Sequence, residues 1–446
     1  MDTPVAIPKA SSDPLPELDS FLEPFAPLFR RLQSRQSLER YITGLLTDLS
    51  RKNCDTIAAA VAGTSTERLQ HLLTDAEWDP GELDTARVRS LSRRSPKGGI
   101  LVLDDTSFPK QGKSSVGVAR QYCGELGKRA NCQAVVSAEY VADEPRNSSP
   151  VHWPVCGRLY LPEEEWARDR ERRKSAHVPQ ELSFATKPQL AIDLVDHASE
   201  WEVPFATVAA DSGYGKNPAF LGALEERELP YVCGVERTFG VRLPEEVAAA
   251  EAAGAPAYQG LGQPPKARPA PLYTAEEVIG AVPEEDWEVV SWREGAKGTL
   301  GKEMVAVRAH RGTGSERHSV EHERVQTGPE GWLIGERPLP GHAGEPKYYF
   351  AMMAADTTLP RLGELAHSRW AIEQFYEDAK GECGLSDFQG RRWDGLHRHL
   401  ALSMLAYSFL MAQSSAVDTE PSGEEGFSPL NGAQTDDAPG DPPAGA

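Results

Sequence analysis

Acidic residues stand at the ends of two apolar runs in this chain. Asp104 and Asp105 close the run at residues 100–103, and Asp211 closes a second at 205–210, just before Ser212-Gly213-Tyr214-Gly215. A carboxylate at the end of a core strand is costly to desolvate unless it is paired or bound to a metal. In α/β sheets ligands gather beyond such strand ends. If the two strands are neighbours, these carboxylates converge, and clusters of hard oxygens suit magnesium or manganese. Taken singly, each aspartate is also explained as a turn or helix cap, and Asp211 before Ser-Gly fits a cap well.

A third acid, Glu373, lies in a stretch whose pattern predicts a helix over residues 359–383. At about 100° per residue, Arg369, Glu373 and Lys380 fall within roughly 40° of one another on one stripe. Leu365, Ile372 and Ala379, seven apart, form a separate apolar stripe that can bury against a sheet. The helix can thus pack on a core while presenting Arg, Glu and Lys together. A solvated face with an Arg369–Glu373 salt bridge is the plainer account of the same spacing.

The elements that would position these groups follow from the pattern along the chain. Residues 1–20 are polar and proline-rich and read as a flexible lead-in. Residues 21–96 read as short helices. Leu38, Tyr41, Ile42, Leu45, Leu46 and Leu49 make an amphipathic stripe, Asp55 is placed to cap a helix through Val61, and residues 66–73 form another. Short helices with short links resemble a helix-turn-helix DNA module, though the same pattern builds any small bundle. Strands are expected at 100–103, 133–141 and 155–161, then a helix at 187–198, the strand 205–210, a helix at 217–228 and a strand at 231–235. Three meandering strands followed by strand-helix alternation is the order of an RNase H-like fold. The expected class is therefore α/β, with such a core over residues 97–239 and 346–412. A β-rich insertion at 240–345 carries runs at 288–292, 304–309 and 331–335. A strand at 348–353 returns to the core, and a second C-terminal helix is expected at 396–411. Residues 413–446 read as an acidic, disordered tail.

The formal net charge of −20 argues against a nucleic-acid partner, but the charge is unevenly spread. The tail from Gln413 carries seven acids and no Lys or Arg. Basic residues cluster at Arg87 to Lys97, Arg168 to Lys174 and Arg391 to His399. The six cysteines are scattered without a CxxC pair, so reduced thiols are expected rather than a zinc ribbon. No apolar run approaches the roughly 20 residues of a membrane span, and the acidic N-terminus is unlike a secretory signal. A cytoplasmic location is expected. Trp287, Trp292 and Trp332 read as core packing, with base stacking the alternative. His397-Arg398-His399 reads as a phosphate-facing or solvated helix surface rather than a metal site.

With these residues in view, the chain resembles a family. Arg369-(3)-Glu373-(6)-Lys380 matches the R-(3)-E-(6)-K part of the Y-(2)-R-(3)-E-(6)-K signature of DDE transposases from bacterial insertion sequences. The segments 103–106 and 210–214 resemble the regions carrying that family's first two acids. Residues 104–113 (DDTSFPKQGK), 121–124 (QYCG), Gly127-Lys128, 131–133 (NCQ) and 158–162 (RLYLP) look like the insertion sequence 701 family in particular. The signature's Tyr position is Ala366 here, and the first acid aligns on either Asp104 or Asp105, which strand alternation points to opposite faces.

The resemblance implies a metal-dependent endonuclease and strand transferase acting on double-stranded DNA, at transposon ends and in target DNA. The catalytic acids are then Asp104 or Asp105, with Asp211 and Glu373. Asp104, Asp211 and Glu373 form the metal set for two Mg2+ or Mn2+ ions. Arg369 and Lys380 hold DNA phosphates, with Lys110, Lys113, Arg120 and Lys128 as further backbone contacts. A homodimer on DNA is compatible with joining two ends. The competing readings are a structure-selective nuclease that cuts without joining, and an inactive transposase-derived DNA-binding protein.

Overall fold

The computed structural model describes residues 10, 15–142, 151–255, 257, 260, 267–295, 298–313 and 326–417. Of the expected disordered tail over 413–446, residues 413–417 are instead helical and the rest lie outside the described residues; of the expected flexible lead-in over 1–20, residues 16–20 are instead helical and most of the rest lie outside. Five helices come first: α1 (Pro16–Leu22), α2 (Leu32–Leu46), α3 (Cys54–Ala60), α4 (Thr66–Thr74) and α5 (Pro80–Ser92). Four strands follow, β1 (Gly99–Pro109), β2 (Ala119–Cys123), β3 (Lys128–Val141) and β4 (His152–Leu159). Then come α6 (Arg170–Ser175), α7 (Lys187–Glu200), β5 (Phe205–Ala210), the single turn α8 (Ser212–Gly215), α9 (Pro218–Glu226) and β6 (Tyr231–Val235). The next segment holds β7 (Gly240–Arg242), α10 (Pro244–Ala253), β8 (Tyr273–Thr274), α11 (Ala275–Gly280), β9 (Glu288–Gly295), β10 (Gly298–Thr313) and β11 (Gln326–Arg337). The chain returns through β12 (Lys347–Met352) to α12 (Leu359–His367), α13 (Trp370–Glu382) and α14 (Trp393–Val417).

All the strands join one mixed, mostly antiparallel sheet in the order β2-β3-β1-β5-β6-β12-β11-β10-β7-β8, with β4 on β3 and β9 on β10. Among the described strands only the β1–β5 and β5–β6 pairs are parallel. The strands of residues 240–345 therefore extend the same sheet, through β11 on β12 and β12 on β6.

Helices cover both faces of the central strands, which is why residues 100–103 read as a continuous apolar run. Ile100 and Val102 pack into the layer built by the N-terminal helices, α12, α13 and α14. Leu101 and Leu103 pack into the opposite layer, with Leu194 of α7 and Leu224 of α9. The N-terminal helices share a core with the C-terminal ones, and Tyr41 of α2 meets His399 Nδ1 of α14 at 2.8 Å.

Three expectations about the elements are corrected. First, β1 does not end at the aspartate pair. Its parallel pairing with β5 stops at Leu103↔Ala210, while its antiparallel pairing with β3 continues through Asp104↔Ser137 to Pro109↔Cys132. Second, the expected helix over 359–383 is two helices. Ser368 Oγ donates to the Leu365 carbonyl at 2.7 Å, and Arg369 serves as N-cap of α13. A serine hydroxyl that bonds back to the preceding turn competes with the helical ladder. Third, α3 is capped by Asn53 rather than Asp55, in a reciprocal box with Thr56.

All six cysteines are free. Among the described residues no helix is long and apolar enough to cross a membrane.

Candidate active site

The end of the parallel β1–β5 pairing sets the site. Asp104 and Asp211 are each the residue after the last paired position, Leu103↔Ala210. Neighbouring strands lie about 4.8 Å apart, so the two side chains start from adjacent positions. Asp211 is N-cap of α8, its Oδ1 accepting from Gly213 N at 2.9 Å. That turn presses on β6: a Cβ on Gly215 would lie 1.9 Å from the Gly234 carbonyl oxygen. Only glycine allows this approach, which holds Asp211 at the C-terminal end of β5.

Alternation along β1 separates the two adjacent acids. Asp104 shares the face of Val102 and points toward α13, where Arg369 Nη1 donates to its Oδ2 at 2.5 Å. Asp105 shares the face of Leu103. It is held by Lys187 Nζ of α7 at 2.6 Å and by the Tyr214 hydroxyl at 3.4 Å. Arg369 also donates to Glu373 Oε1 one turn along α13. One guanidinium thus bridges Asp104 and Glu373, with Asp211 close enough to act on both Asp104 and Arg369 electrostatically.

The charges are strongly coupled. Burial pushes the Asp104 carboxyl up to about 7; the Arg369 guanidinium opposes this, and the Asp211 charge adds to it. Burial works against the charge on Arg369, but Asp104, Glu373 and Asp211 outweigh it and hold the guanidinium above its ordinary value. Glu373 is the exposed member, its side chain 60% accessible.

Asp211, Arg369 and Glu373 line a cleft of about 1010 Å3, together with Ala366, His367, Trp370 and Tyr349. Ala366, at the signature's Tyr position, therefore faces the cleft, and phenol rings arrive instead from Tyr348 and Tyr349 of β12. Residues from the 240–345 segment brace the junction between α12 and α13. Trp292 stacks on His367 with ring centroids 3.5 Å apart, and Arg293 lies over the Trp370 ring at 3.9 Å. His367 Nε2 contacts Glu336 Oε2 at 2.8 Å, and the Tyr349 hydroxyl donates to the same oxygen at 3.0 Å. Despite burial, these partners hold the Glu336 carboxyl below its ordinary value. His367, Glu336, Arg293 and Lys187 do not stand out in the sequence. His367 had one available signal, its place two residues before Arg369 inside the signature. The other three had none, since strand pairing and helix packing alone bring them in.

The remaining basic candidates lie elsewhere. Lys380 does not join Arg369 and Glu373; its Nζ donates to Glu125 Oε2 at 2.7 Å and to the Ser107 carbonyl at 3.4 Å. Lys110 anchors the chain after α13, donating to the carbonyls of Phe388 at 2.8 Å and Ser386 at 3.3 Å, and burial lowers its pKa to about 8. Arg120 and Lys128 are exposed beside Lys110 in a second cleft, and Lys113 is exposed nearby.

Each of the three basic runs spends some cations on protein partners, while Arg89, Arg93, Arg94, Lys97, Arg170, Lys174 and Arg391 stay exposed. Arg87 is fully buried on the Pro154 and Val155 carbonyls and Asp84. Arg168 pairs with Glu163 and Glu164, Arg392 with Asp394, and Arg398 donates to the Ala76 and Trp78 carbonyls. His399 is buried and His397 half-buried, and burial lowers both pKa values to about 4. Trp287 lies under Arg337 at 4.2 Å, and Trp332 under Arg308 at 4.9 Å, its Nε1 donating to the Ala354 carbonyl.

Comparison with known proteins adds to this geometry. The family described as DDE superfamily endonuclease matches residues 24–299, more than half of the chain. That span includes Asp104, Asp105 and Asp211 and stops short of Arg369 and Glu373. The chain is also 28% identical over 239 residues to the probable transposase for insertion sequence element IS701 of Microchaete diplosiphon. The match spans 53% of this chain and 58% of that protein.

Proposed function

Since the chain belongs to the DDE superfamily endonucleases, we propose that it is a transposase, cutting DNA at insertion-sequence ends and joining the freed 3′ ends to target DNA. The observation that carries this reading is the meeting of Asp104, Asp211 and Glu373 around Arg369 at the edge of a large cleft. The strand order β4-β3-β1-β5-β6, with β3 antiparallel to β1 and β5 and β6 parallel to it, supports an RNase H-like core. Residues 21–96 would form the helical, DNA-contacting domain and 240–345 the insertion.

Among the described residues no three metal-binding side chains stand together as a ready cation site. The donor set nonetheless fits a hard divalent ion. It is all carboxylate oxygen, and a cation already lies between two of its members, the guanidinium of Arg369. Asp104, Asp211 and Glu373 would hold Mg2+ or Mn2+, which supplies an activated oxygen nucleophile and stabilises the leaving oxygen at phosphorus. Asp104 takes part as its carboxylate, so its proton must leave first. Arg369 spends two of its five N–H donors on carboxylates and can offer the others to a phosphate oxygen. Trp292 and Arg293 hold the α12–α13 junction and so keep Arg369 and Glu373 in place. Asp105, turned to α7, positions Lys187 rather than completing the metal set.

The test mixes purified protein, Mn2+ or Mg2+, and duplex DNA carrying the element's ends. Wild type should yield cut ends and joined products, and Glu373→Gln neither. Cutting that survives Glu373→Gln would remove Glu373 from the site. Cutting without joining would identify a structure-selective nuclease, and binding without cutting an inactive DNA-binding relative.

A further inference from the structure

A second cleft of about 1010 Å3 opens between the end of β1, the β2–β3 hairpin and the chain that follows α13. Its walls carry five cations, Arg51, Lys110, Arg120, Lys128 and Arg129, against two carboxylates, Glu125 and Asp387. Both acids are already engaged: Glu125 pairs with Lys380, and Asp387 accepts the Lys52 backbone N–H at 2.7 Å. Among the described residues the side chains of Arg120 and Lys128 make no ion pair. Lys110 is spent on the Phe388 and Ser386 carbonyls, but even without it the cations outnumber the acids, which in a chain of net charge −20 is out of keeping with the surroundings. The first cleft has the reverse balance, with five acids, Asp211, Glu236, Glu276, Glu345 and Glu373, against three cations, Arg237, Lys347 and Arg369.

The hairpin adds an apolar element to this charge. Tyr122 is 65% exposed and Leu126 45%, on the strand and turn that face away from the core. Tyr122 pairs across the hairpin with Arg129. Exposed rings beside cations are the combination that meets nucleic-acid bases and backbone together. Nothing in the catalytic geometry uses the hairpin, although the 121–124 and 127–128 motifs that build it are among the family-like segments of the sequence.

The two clefts are linked by α13. Glu373 lies at the first, and Lys380, seven residues further on, reaches Glu125 at the second. Seven residues of helix span about 10 Å, or roughly three base pairs at 3.4 Å each.

We propose that the second cleft and the β2–β3 hairpin form a distinct DNA-backbone groove for the duplex being cut. This groove holds phosphates a few base pairs beyond the scissile one, and Tyr122 packs against the sugar or base at its rim. The proposal rests on the transposase reading, in which DNA runs along α13.

The test uses full-length protein with chelator present and fluorescent duplexes carrying an element end. Binding is measured across salt concentrations for wild type and for the exposed triple variant Arg120→Ala, Lys128→Ala, Arg129→Ala. Every phosphate that the variant no longer neutralises should lower the slope of log K against log salt by about 0.9, so its slope should fall by roughly 2 to 3. Its affinity near 0.1 M salt should fall at least about tenfold. Tyr122→Ala should weaken binding without changing the slope. Trimming the duplex on the groove side to within about three base pairs of the cut should weaken wild type and leave the triple variant unaffected. An unchanged slope in a triple variant whose melting temperature matches wild type overturns the groove, even if wild type cuts and joins DNA. A reduced slope in a protein that never cuts keeps the groove and removes the transposase reading.

Discussion

Replacing Asp104 with Asn tests whether this carboxylate is the buried, strained member of the candidate site. In the fold its pKa is pushed up to about 7, chiefly by burial, against about 3.9 for a free aspartate. Each unit is worth about 1.4 kcal/mol, so keeping Asp104 ionised costs the metal-free fold on the order of 4 kcal/mol. The sign follows from proton counts. Between about pH 4 and 7 the native state retains a proton that the unfolded chain has lost, so stability falls as pH rises through that window and levels off above it. About 3 kcal/mol of the loss falls between pH 5 and pH 8. Asn has no proton to lose. Urea unfolding in chelator at the two pH values should show the stability of Asp104→Asn, relative to wild type, rising by about 3 kcal/mol from pH 5 to pH 8. Adding Mn2+ at pH 8 should then stabilise wild type, because the ion takes the ionised carboxylate, and should leave the variant unmoved. Parallel pH curves for the two proteins would refute the argument, since the burial penalty on Asp104 would then be absent.

Three further outcomes follow from neighbouring features. Asp105→Asn breaks the Lys187 contact on the opposite face of β1 and should cost no more than about 1 kcal/mol while preserving stabilisation by Mn2+; loss of that stabilisation here but not in Asp104→Asn would reverse the assignment. Glu139, fully buried against His152 at 2.5 Å, has its carboxyl pushed up to about 7 by burial. It should therefore add its own fall in stability from about pH 4.5 to 7, and Glu139→Gln should flatten that part of the urea curve. Gly215→Ala puts a methyl carbon 1.9 Å from the Gly234 carbonyl oxygen; it should cost about 1–3 kcal/mol and, by moving the α8 turn, also weaken stabilisation by Mn2+. Full Mn2+ stabilisation in that variant would show that the turn does not set Asp211.

Much of this protein was legible in its sequence because local rules carry it. The apolar runs ending at Leu103 and Ala210 are strands buried on both faces, and each still delivers an aspartate to the end of the parallel pairing. The four-residue step from Arg369 to Glu373 keeps the two side chains in contact despite the break before α13, because Arg369 is itself the cap of that helix. The seven-residue step to Lys380 was misleading in one respect. A shared helical stripe does not place its far end in the same site, and two turns carry Lys380 to Glu125. Runs of Arg and His were equally ambiguous, because sequence does not say whether a cation meets solvent or a buried carbonyl. Arg87, Arg398 and His399 meet the interior.

The sequence by itself determined that three acids sit on two strands and a helix and that one arginine accompanies the last of them. It could not choose between Asp104 and Asp105, because alternation says only that neighbours face opposite ways. The tertiary structure separates the two by packing α13 against one face of β1 and α7 against the other. Arg369 meets Asp104 and Lys187 meets Asp105. Which helix covers which face is a long-range outcome of core packing, and no local pattern in the chain encodes it.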